Sequence, residues 1–310
     1  MARFLVTGGA GFIGSNVVTS LLQGGHDVRV LDNFLTGKRE NLADVLDQIT
    51  LIEGDLRDPV CVNQATEQIE YILHIGALPS VPRSVAEPLL SHDINVNGTL
   101  YLLEAARQHG VKRLVFSSSS SVYGDTPTLP KHEAMPMAPL SPYAAQKAAG
   151  ELYCRVYSTI YGLETVCLRY FNVFGPRQDP QSQYAAVIPK FITAFQTGNQ
   201  PTIYGNGEQS RDFTYVENVV VANIAATTAP EAAGKTFNVA CGSRLTVNEI
   251  ARKISTLLGT ENTPVYAPAR PGDVKHSLAD ISQAQHLLQY SPLIDIDTGL
   301  QKTIAWFSNR

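Results

Sequence analysis

The sequence predicts an α/β fold: a doubly wound parallel sheet that carries a smaller, discontinuous C-terminal lobe. Three observations predict it. Short apolar runs alternate with helical patterns through the first half of the chain, a glycine turn joins the first run to the first helix, and after about residue 170 the texture changes to segments rich in Pro, Gly, Asn and Gln. Strands that read as continuous apolar runs belong to sheets covered on both faces, and such sheets are parallel with right-handed helical crossovers.

The first run, Phe4–Val6, leads into Thr7-Gly-Gly-Ala-Gly-Phe-Ile-Gly-Ser15, where Gly8, Gly11 and Gly14 stand at G-x-x-G-x-x-G spacing and open an amphipathic stretch over 12–24. Strand, glycine turn and helix together let a pyrophosphate approach bare backbone and rest on a helix N-terminus. The second run, Val28–Leu31, ends at Asp32, at the spacing of an acid that accepts ribose hydroxyls. Further strands are expected at Thr50–Ile52, Tyr71–His74, Arg113–Phe116 and Thr165–Leu168, with helices near 60–69, 84–109 and 142–161. Asp55 falls just past the third strand, at a carboxyl end where ligands of such sheets collect. Beyond residue 170, 171–183 and 198–211 read as loop, elements return at 185–197, 213–228, 236–239 and 246–258, and a Pro-rich 264–273 precedes terminal helices. The expected division is a Rossmann-type dinucleotide-binding domain of residues 1–171 plus 212–262, and a lobe of 172–211 plus 263–310, with a cleft between them.

The 310 residues are 44% hydrophobic and 17% charged, with mean hydropathy −0.05, which is the balance of an ordinary globular chain. A net charge of −4 and a pI near 6.0 offer no broad basic surface for nucleic acid. No apolar run approaches membrane-spanning length, and the N-terminus lacks a signal-peptide pattern. Cys61, Cys154, Cys167 and Cys241 are scattered without a C-x-x-C, so thiols in a reducing cytoplasm are expected rather than disulfides or a metal site.

Tyr143 and Lys147 are four apart in Ser-Pro-Tyr-Ala-Ala-Gln-Lys, where Pro142 suits a first helical turn and the alanines favour helix, so both side chains share one face. A phenol titrates near pH ~10, and an adjacent ammonium lowers that value, making Tyr143 a candidate base toward a substrate hydroxyl. The run Ser117–Ser121 follows the strand at Arg113–Phe116, and a hydroxyl there can share the reacting proton and polarise a forming carbonyl.

With these pieces and the Val122-Tyr-Gly124 that follows the serines, the chain resembles the extended short-chain dehydrogenase/reductase superfamily. Within it the chain is similar to nucleotide-sugar 4-epimerases of the UDP-galactose and UDP-N-acetylglucosamine kind. The likeness runs through Asp32-Asn33, Gly54-Asp-Leu56, Asn95-Val-Asn-Gly-Thr99, Leu168-Arg-Tyr-Phe-Asn172, Arg211-Asp-Phe213 and Arg270-Pro-Gly-Asp273. It implies a tightly held NAD, regenerated at each turnover: Gly8, Gly11, Phe12 and Ile13 at the pyrophosphate, Asp32 and Asn33 at the adenosine ribose, Asp55 and Leu56 at the adenine. Ile75, Gly76 and Ala77 would lie beneath the ribose and nicotinamide, with Tyr143, Lys147 and Phe171 completing that site. A carboxylate at Asp32 repels a 2′-phosphate, which favours NAD over NADP.

The same resemblance makes Ser119 the catalytic hydroxyl beside Tyr143 and Lys147. Ser120 and Ser121 stand where related 4,6-dehydratases carry Asp-Glu and related decarboxylases a Glu, which argues against those reactions. The UDP-sugar would meet Ser80, Ser119, Tyr143, Asn172, Val187, Tyr204, Arg211, Arg270, Asp273 and Ser277. A small Ser277, and the segments 80–84, 184–191 and 272–282, look like the members acting on N-acetylated sugars. The implied activity is C4 epimerisation of UDP-GlcNAc/UDP-GalNAc, with UDP-Glc/UDP-Gal also accepted, through a transient 4-keto sugar. Alternatives are a UDP-uronate 4-epimerase, a nucleotide-sugar reductase and a non-catalytic NAD(H)-sensing scaffold. Helical stretches 92–109 and 142–161 resemble those that pair in relatives, so a homodimer is expected.

Overall fold

The computed structural model describes residues 1–180, 186–269 and 274–309. Seven parallel strands form the central sheet: β1 (Arg3–Thr7), β2 (Asp27–Asp32), β3 (Thr50–Glu53), β4 (Tyr71–His74), β5 (Arg113–Ser119), β6 (Glu164–Tyr170) and, last in the chain, β11 (Thr236–Val239). Their order is β11-β6-β5-β4-β1-β2-β3, so chain direction across the sheet reverses between β1 and β4. That switch opens a crevice at the strands' carboxyl ends.

The pleat sends alternate apolar residues to the two faces. Phe4, Val6, Val30 and Val115 pack with α1 (Phe12–Gln23) and α8 (Val216–Thr228), while Leu5, Leu31, Ile72 and Leu114 pack with α2 (Pro59–Thr66), α5 (Gly98–Gln108) and α6 (Pro142–Tyr161). Both faces are therefore buried, which is why the strands lack polar alternation. A third apolar cluster belongs to the C-terminal part. Phe191 and Ile192 of α7 (Val187–Gln196) meet Ile250 and Ile254 of α9 (Val247–Leu258) and Leu300 of α11 (Ile296–Ser308). Thus α9, expected with the nucleotide-binding domain, packs on α7 instead, because its apolar stripe faces that cluster rather than the sheet.

Small strand pairs complete this lobe. β7 (Val173–Phe174) pairs with β10 (Thr214–Tyr215), β8 (Thr202–Tyr204) with β13 (Val265–Ala267), and β9 (Ser210–Arg211) antiparallel with β12 (Leu245–Thr246). Residues 198–211, read from sequence as loop, thus contain β8 and β9, and a 3-10 helix at Arg39–Gln48 was not anticipated. The short helix α10 (Ser282–Leu288) packs back toward β11. Two features lock lobe to sheet. Phe12 and Ile13 of α1 pack against the lobe's apolar cluster, and Asp212 accepts amide hydrogens from Cys241, Gly242 and Ala279 at 3.0, 3.1 and 3.2 Å.

The long helix expected over 84–109 is broken into α3 (Val81–Ala86), α4 (Pro88–His92), a π turn at Asp93–Asn97, and α5. Pro88 favours the break, since a proline biases the residue before it away from helical geometry, and Glu87 sits at φ −128°, ψ 62°. Pro88 itself then serves as a first helical residue.

Candidate active site

The turn after β1 is shaped by close backbone approach. Gly8 has φ +67°, and a Cβ there would lie 2.6 Å from the Gly76 Cα; one on Gly14 would lie 2.1 Å from the Gly8 carbonyl oxygen. Gly11 caps α1 without any side-chain bond, so the first-turn amides are left for an anion. Phe12, Ile13, Ile75, Gly76 and Ala77 are half-buried around this turn. At the end of β2, Asp32 accepts from the Ala10 and Phe34 amides at 2.8 Å each, and burial pushes its carboxyl up from the usual range. Lys38 is paired with Asp179 at 3.3 Å and Arg39 with Glu53, both at the surface. Asn33 donates to Asp55 at 2.7 Å, and Arg57 grips both Asp55 oxygens at 2.9 and 2.8 Å, holding that carboxyl down to about 2. Leu56 is buried beside Gly98. Bare turn, open helix end and buried acid fit a dinucleotide. Phe171 differs: it lies wholly in the core and its amide bonds the Val239 carbonyl.

At the end of β5, Ser119 accepts from the Ser121 amide at 3.2 Å, and its hydroxyl lies near enough to the Tyr143 phenol to draw the phenol's pKa down. Tyr143 sits at the second position of α6, whose N-cap Ser141 accepts from the Ala144 amide at 3.2 Å. Its own amide donates to Ser84 of α3 at 3.0 Å. Lys147, one turn on, is 4% exposed and donates to the Ser117 carbonyl at 2.6 Å. Burial pulls its ammonium down to about 8 and pushes the Tyr143 phenol up to about 12, the Ser119 hydroxyl opposing the latter. The sequence placed the ammonium where it would acidify the phenol directly. Instead Lys147 is committed to a main-chain carbonyl, 6.0 Å from the centre of the Tyr143 ring.

Sequence reasoning assigned no role to the polar chain behind this site. The Thr99 hydroxyl donates to the Asn95 carbonyl, so it accepts from His74 Nε2 at 2.9 Å and leaves Nδ1 to accept from Thr7 at 2.7 Å. Thr7 in turn receives the Gly76 amide at 3.1 Å. Burial pulls His74 down to about 3, so it stays neutral. Asn95 accepts from the Leu78 amide at 2.7 Å and donates to Gln146, between the two α6 residues of the motif, at 2.8 Å. The π turn turns Asn95 inward. Only the run Asn95–Thr99 hinted at it in the sequence.

The lobe contributes a cleft of about 250 Å³ that brings together Asn172, Val187, Tyr204 and Arg211. The Arg211 guanidinium is tethered by the Ser210 and Lys275 carbonyls at 3.0 and 3.2 Å. Asn172 donates to the buried Ser277 hydroxyl at 3.1 Å. Ser80 caps α3, accepting from the Arg83 amide at 3.1 Å. Arg270 and Asp273 lie outside the described residues. Among the described residues no group of His, Cys, Asp and Glu could hold a metal ion, and no helix is long and apolar enough to cross a membrane.

Comparison with known proteins gives the family. Residues 4–240 match the family described as NAD dependent epimerase/dehydratase. The UDP-glucose 4-epimerase of Mycolicibacterium smegmatis is 39% identical over 99% of each chain. The UDP-N-acetylglucosamine 4-epimerase of Methanobrevibacter ruminantium, solved with UDP-N-acetylmuramic acid, superposes with TM-score 0.96 at 44% identity, covering 99% of this chain and 98% of that one. The Thermus thermophilus UDP-glucose 4-epimerase, solved with NAD, gives TM-score 0.91 at 38% identity over 99% of each chain. Relatives named as a decarboxylase and as a 4,6-dehydratase match too. The chain belongs to the NAD dependent epimerase/dehydratase family of extended short-chain dehydrogenases/reductases, and its relatives include UDP-glucose and UDP-N-acetylglucosamine 4-epimerases.

Proposed function

We propose that the protein interconverts UDP-hexoses at C4, acting on UDP-GlcNAc/UDP-GalNAc and also on UDP-Glc/UDP-Gal, with NAD tightly held and regenerated each turnover. The observation that carries this reading is the meeting of Ser119, Tyr143 and Lys147 at the carboxyl end of β5, beside a dinucleotide-shaped turn. Asn172, Val187, Tyr204 and Arg211 in the lobe's cleft support a site for the UDP part. Arg211 suits a diphosphate, since its planar fork can hold two oxygens at once.

Bound NAD supplies a hydride acceptor and donor at C4, together with a positive ring that favours the Tyr143 phenolate. Tyr143 takes the proton of the sugar 4-hydroxyl as C4 loses hydride, leaving a 4-keto sugar, and later returns the proton to the epimeric oxygen. Ser119 hydrogen-bonds that oxygen throughout. Lys147 keeps a positive charge beneath the phenol and, with Asp32 and Asn33, would hold ribose hydroxyls. Gly8, Gly11, Phe12 and Ile13 would line the pyrophosphate, Asp55 and Leu56 the adenine, and Ile75, Gly76 and Ala77 the nicotinamide side. Anchoring UDP firmly and the hexose loosely lets the keto sugar turn its other face before reduction. The turn Ser120–Tyr123 offers serines where elimination or decarboxylation would need carboxylates, which supports epimerisation over those reactions.

We further propose a homodimer formed through α5 and α6. The free thiols Cys61, Cys154, Cys167 and Cys241 support a cytoplasmic setting. The test is to incubate purified protein with UDP-GlcNAc and no added cofactor. Equilibration to the C4 epimer is expected, and Tyr143→Phe should lower turnover on the order of 10²- to 10⁴-fold while NAD stays bound. A requirement for stoichiometric NAD(H) would overturn the reading in favour of a reductase. Conversion of UDP-GlcA with neither hexose pair accepted would replace it with the uronate epimerase.

A further inference from the structure

Lys147 is not the only tie between α6 and the sheet. Glu151 follows Lys147 by four residues, as Lys147 follows Tyr143, so three functional groups line one face of α6. The carboxylate is 5% exposed. It accepts from the Ser118 hydroxyl of β5 at 2.5 Å and from Arg169 of β6 through Nε and Nη2 at 2.9 and 2.7 Å. A buried ion pair costs about as much to desolvate as its attraction returns, so an apolar pair would serve stability equally well. Its place points to another purpose. Ser118 stands between Ser117, whose carbonyl takes Lys147, and Ser119, whose hydroxyl meets Tyr143.

We propose that Glu151 is a positioning residue: clamped by Arg169, it fixes Ser117–Ser119 against α6 so that Ser119 faces Tyr143, and sets a negative charge one turn below Lys147. The inference rests on the reading of Tyr143 and Lys147 as the groups that act on substrate.

The surroundings of Lys147 agree. Its neighbours are Tyr143, Cys154 and Glu151 on α6, Phe116 and the Ser117 carbonyl on β5, Cys167 on β6 and neutral His74 on β4. Burial drives the ammonium down to about 8; Cys154, Glu151 and Cys167 oppose it, and Glu151 is the one carboxylate among them. Removing that charge moves Lys147 lower still.

Glu151→Gln leaves Arg169 buried without a charge partner and puts folding itself at risk, so two further variants complete the test. Glu151→Met with Arg169→Met removes both charges, and Ser118→Ala removes only the tie to β5. Thermal midpoint, kcat, KM and the pH dependence of kcat are measured on each full chain with NAD. The double variant should fold and lose on the order of tenfold to a hundredfold in kcat with KM little changed, while Glu151→Gln, which removes the carboxylate charge alone, should show its alkaline loss of activity at lower pH. Ser118→Ala should lower kcat severalfold without moving the pH limb. A folded double variant that keeps the parent kcat overturns the proposal. Tyr143→Phe, run alongside, separates the two readings: if it stays active the catalytic assignment fails, whereas if it is inactive and the Glu151 variants are unaffected, only this inference fails.

Discussion

Tyr143 is held between opposed effects. Enclosure of the phenol raises its pKa to about 12, and the Ser119 hydroxyl draws it back only in part. The cation that should help is also enclosed, with its ammonium pulled down to about 8. A charge that is lost near pH ~8 can support a phenolate only below that value, so turnover should fall as pH rises through about 8. A rate profile with a flat alkaline side to the limit of stability would contradict this. Ser277 offers a second test. Its buried hydroxyl meets Asn172, and on the proposed reading a Tyr there would take the space of an acetamido group. Ser277→Tyr should depress turnover of the acetamido pair roughly tenfold or more beyond that of UDP-Glc/UDP-Gal, whereas equal loss on both pairs would refute the steric account. Tyr143 and Lys147 were legible in the sequence because helix geometry alone puts positions four apart on one face. The direction of the Lys147 ammonium was not, because it depends on a carbonyl of β5, thirty residues away in the chain.

The glycine turn was readable for the same reason as the helix face: its logic is local. Its energetics can be separated by comparing two glycines. A Cβ on Gly14 would meet the Gly8 carbonyl at 2.1 Å, whereas Gly25, at φ +74°, has nothing within 4 Å. Gly25→Ala should therefore cost only backbone strain, about 1 kcal/mol or somewhat more, and leave cofactor content unchanged. Gly14→Ala must open the turn itself, costing about 1–3 kcal/mol in stability and much of the NAD that co-purifies. Equal NAD content in both variants, read from absorbance after denaturation, would show that the turn does not hold the dinucleotide. The helices between β4 and β5 were less legible. Periodicity over 84–109 gave one helix, but Glu87 before Pro88 leaves helical geometry at φ −128°, ψ 62°. The π turn is set by Asn95 reaching the Leu78 main chain, a contact no local pattern encodes.

At the scale of the whole molecule, α6 has an occupied face and a bare one. Its inner face carries Lys147 and Glu151 into the sheet, while Leu152, Val156 and Ile160, spaced by four, are 52%, 43% and 68% exposed. Tyr161 extends the stripe, and Arg107 of α5 lies over its ring at 5.4 Å, so α5 and α6 present one continuous surface. An apolar stripe of this length on a helix that holds the reacting groups is the kind of surface a second subunit covers. In a two-fold interface each substituted residue is duplicated, so a charge introduced near the axis faces its own copy as well as losing burial. Val156→Glu with Ile160→Glu should therefore sediment at half the mass of the parent while keeping its far-ultraviolet circular dichroism. Because the bare face and the reacting face belong to one helix, turnover should fall severalfold on dissociation. A parent protein that already sediments at the mass of one chain would remove the homodimer from the proposal and leave the stripe without that role.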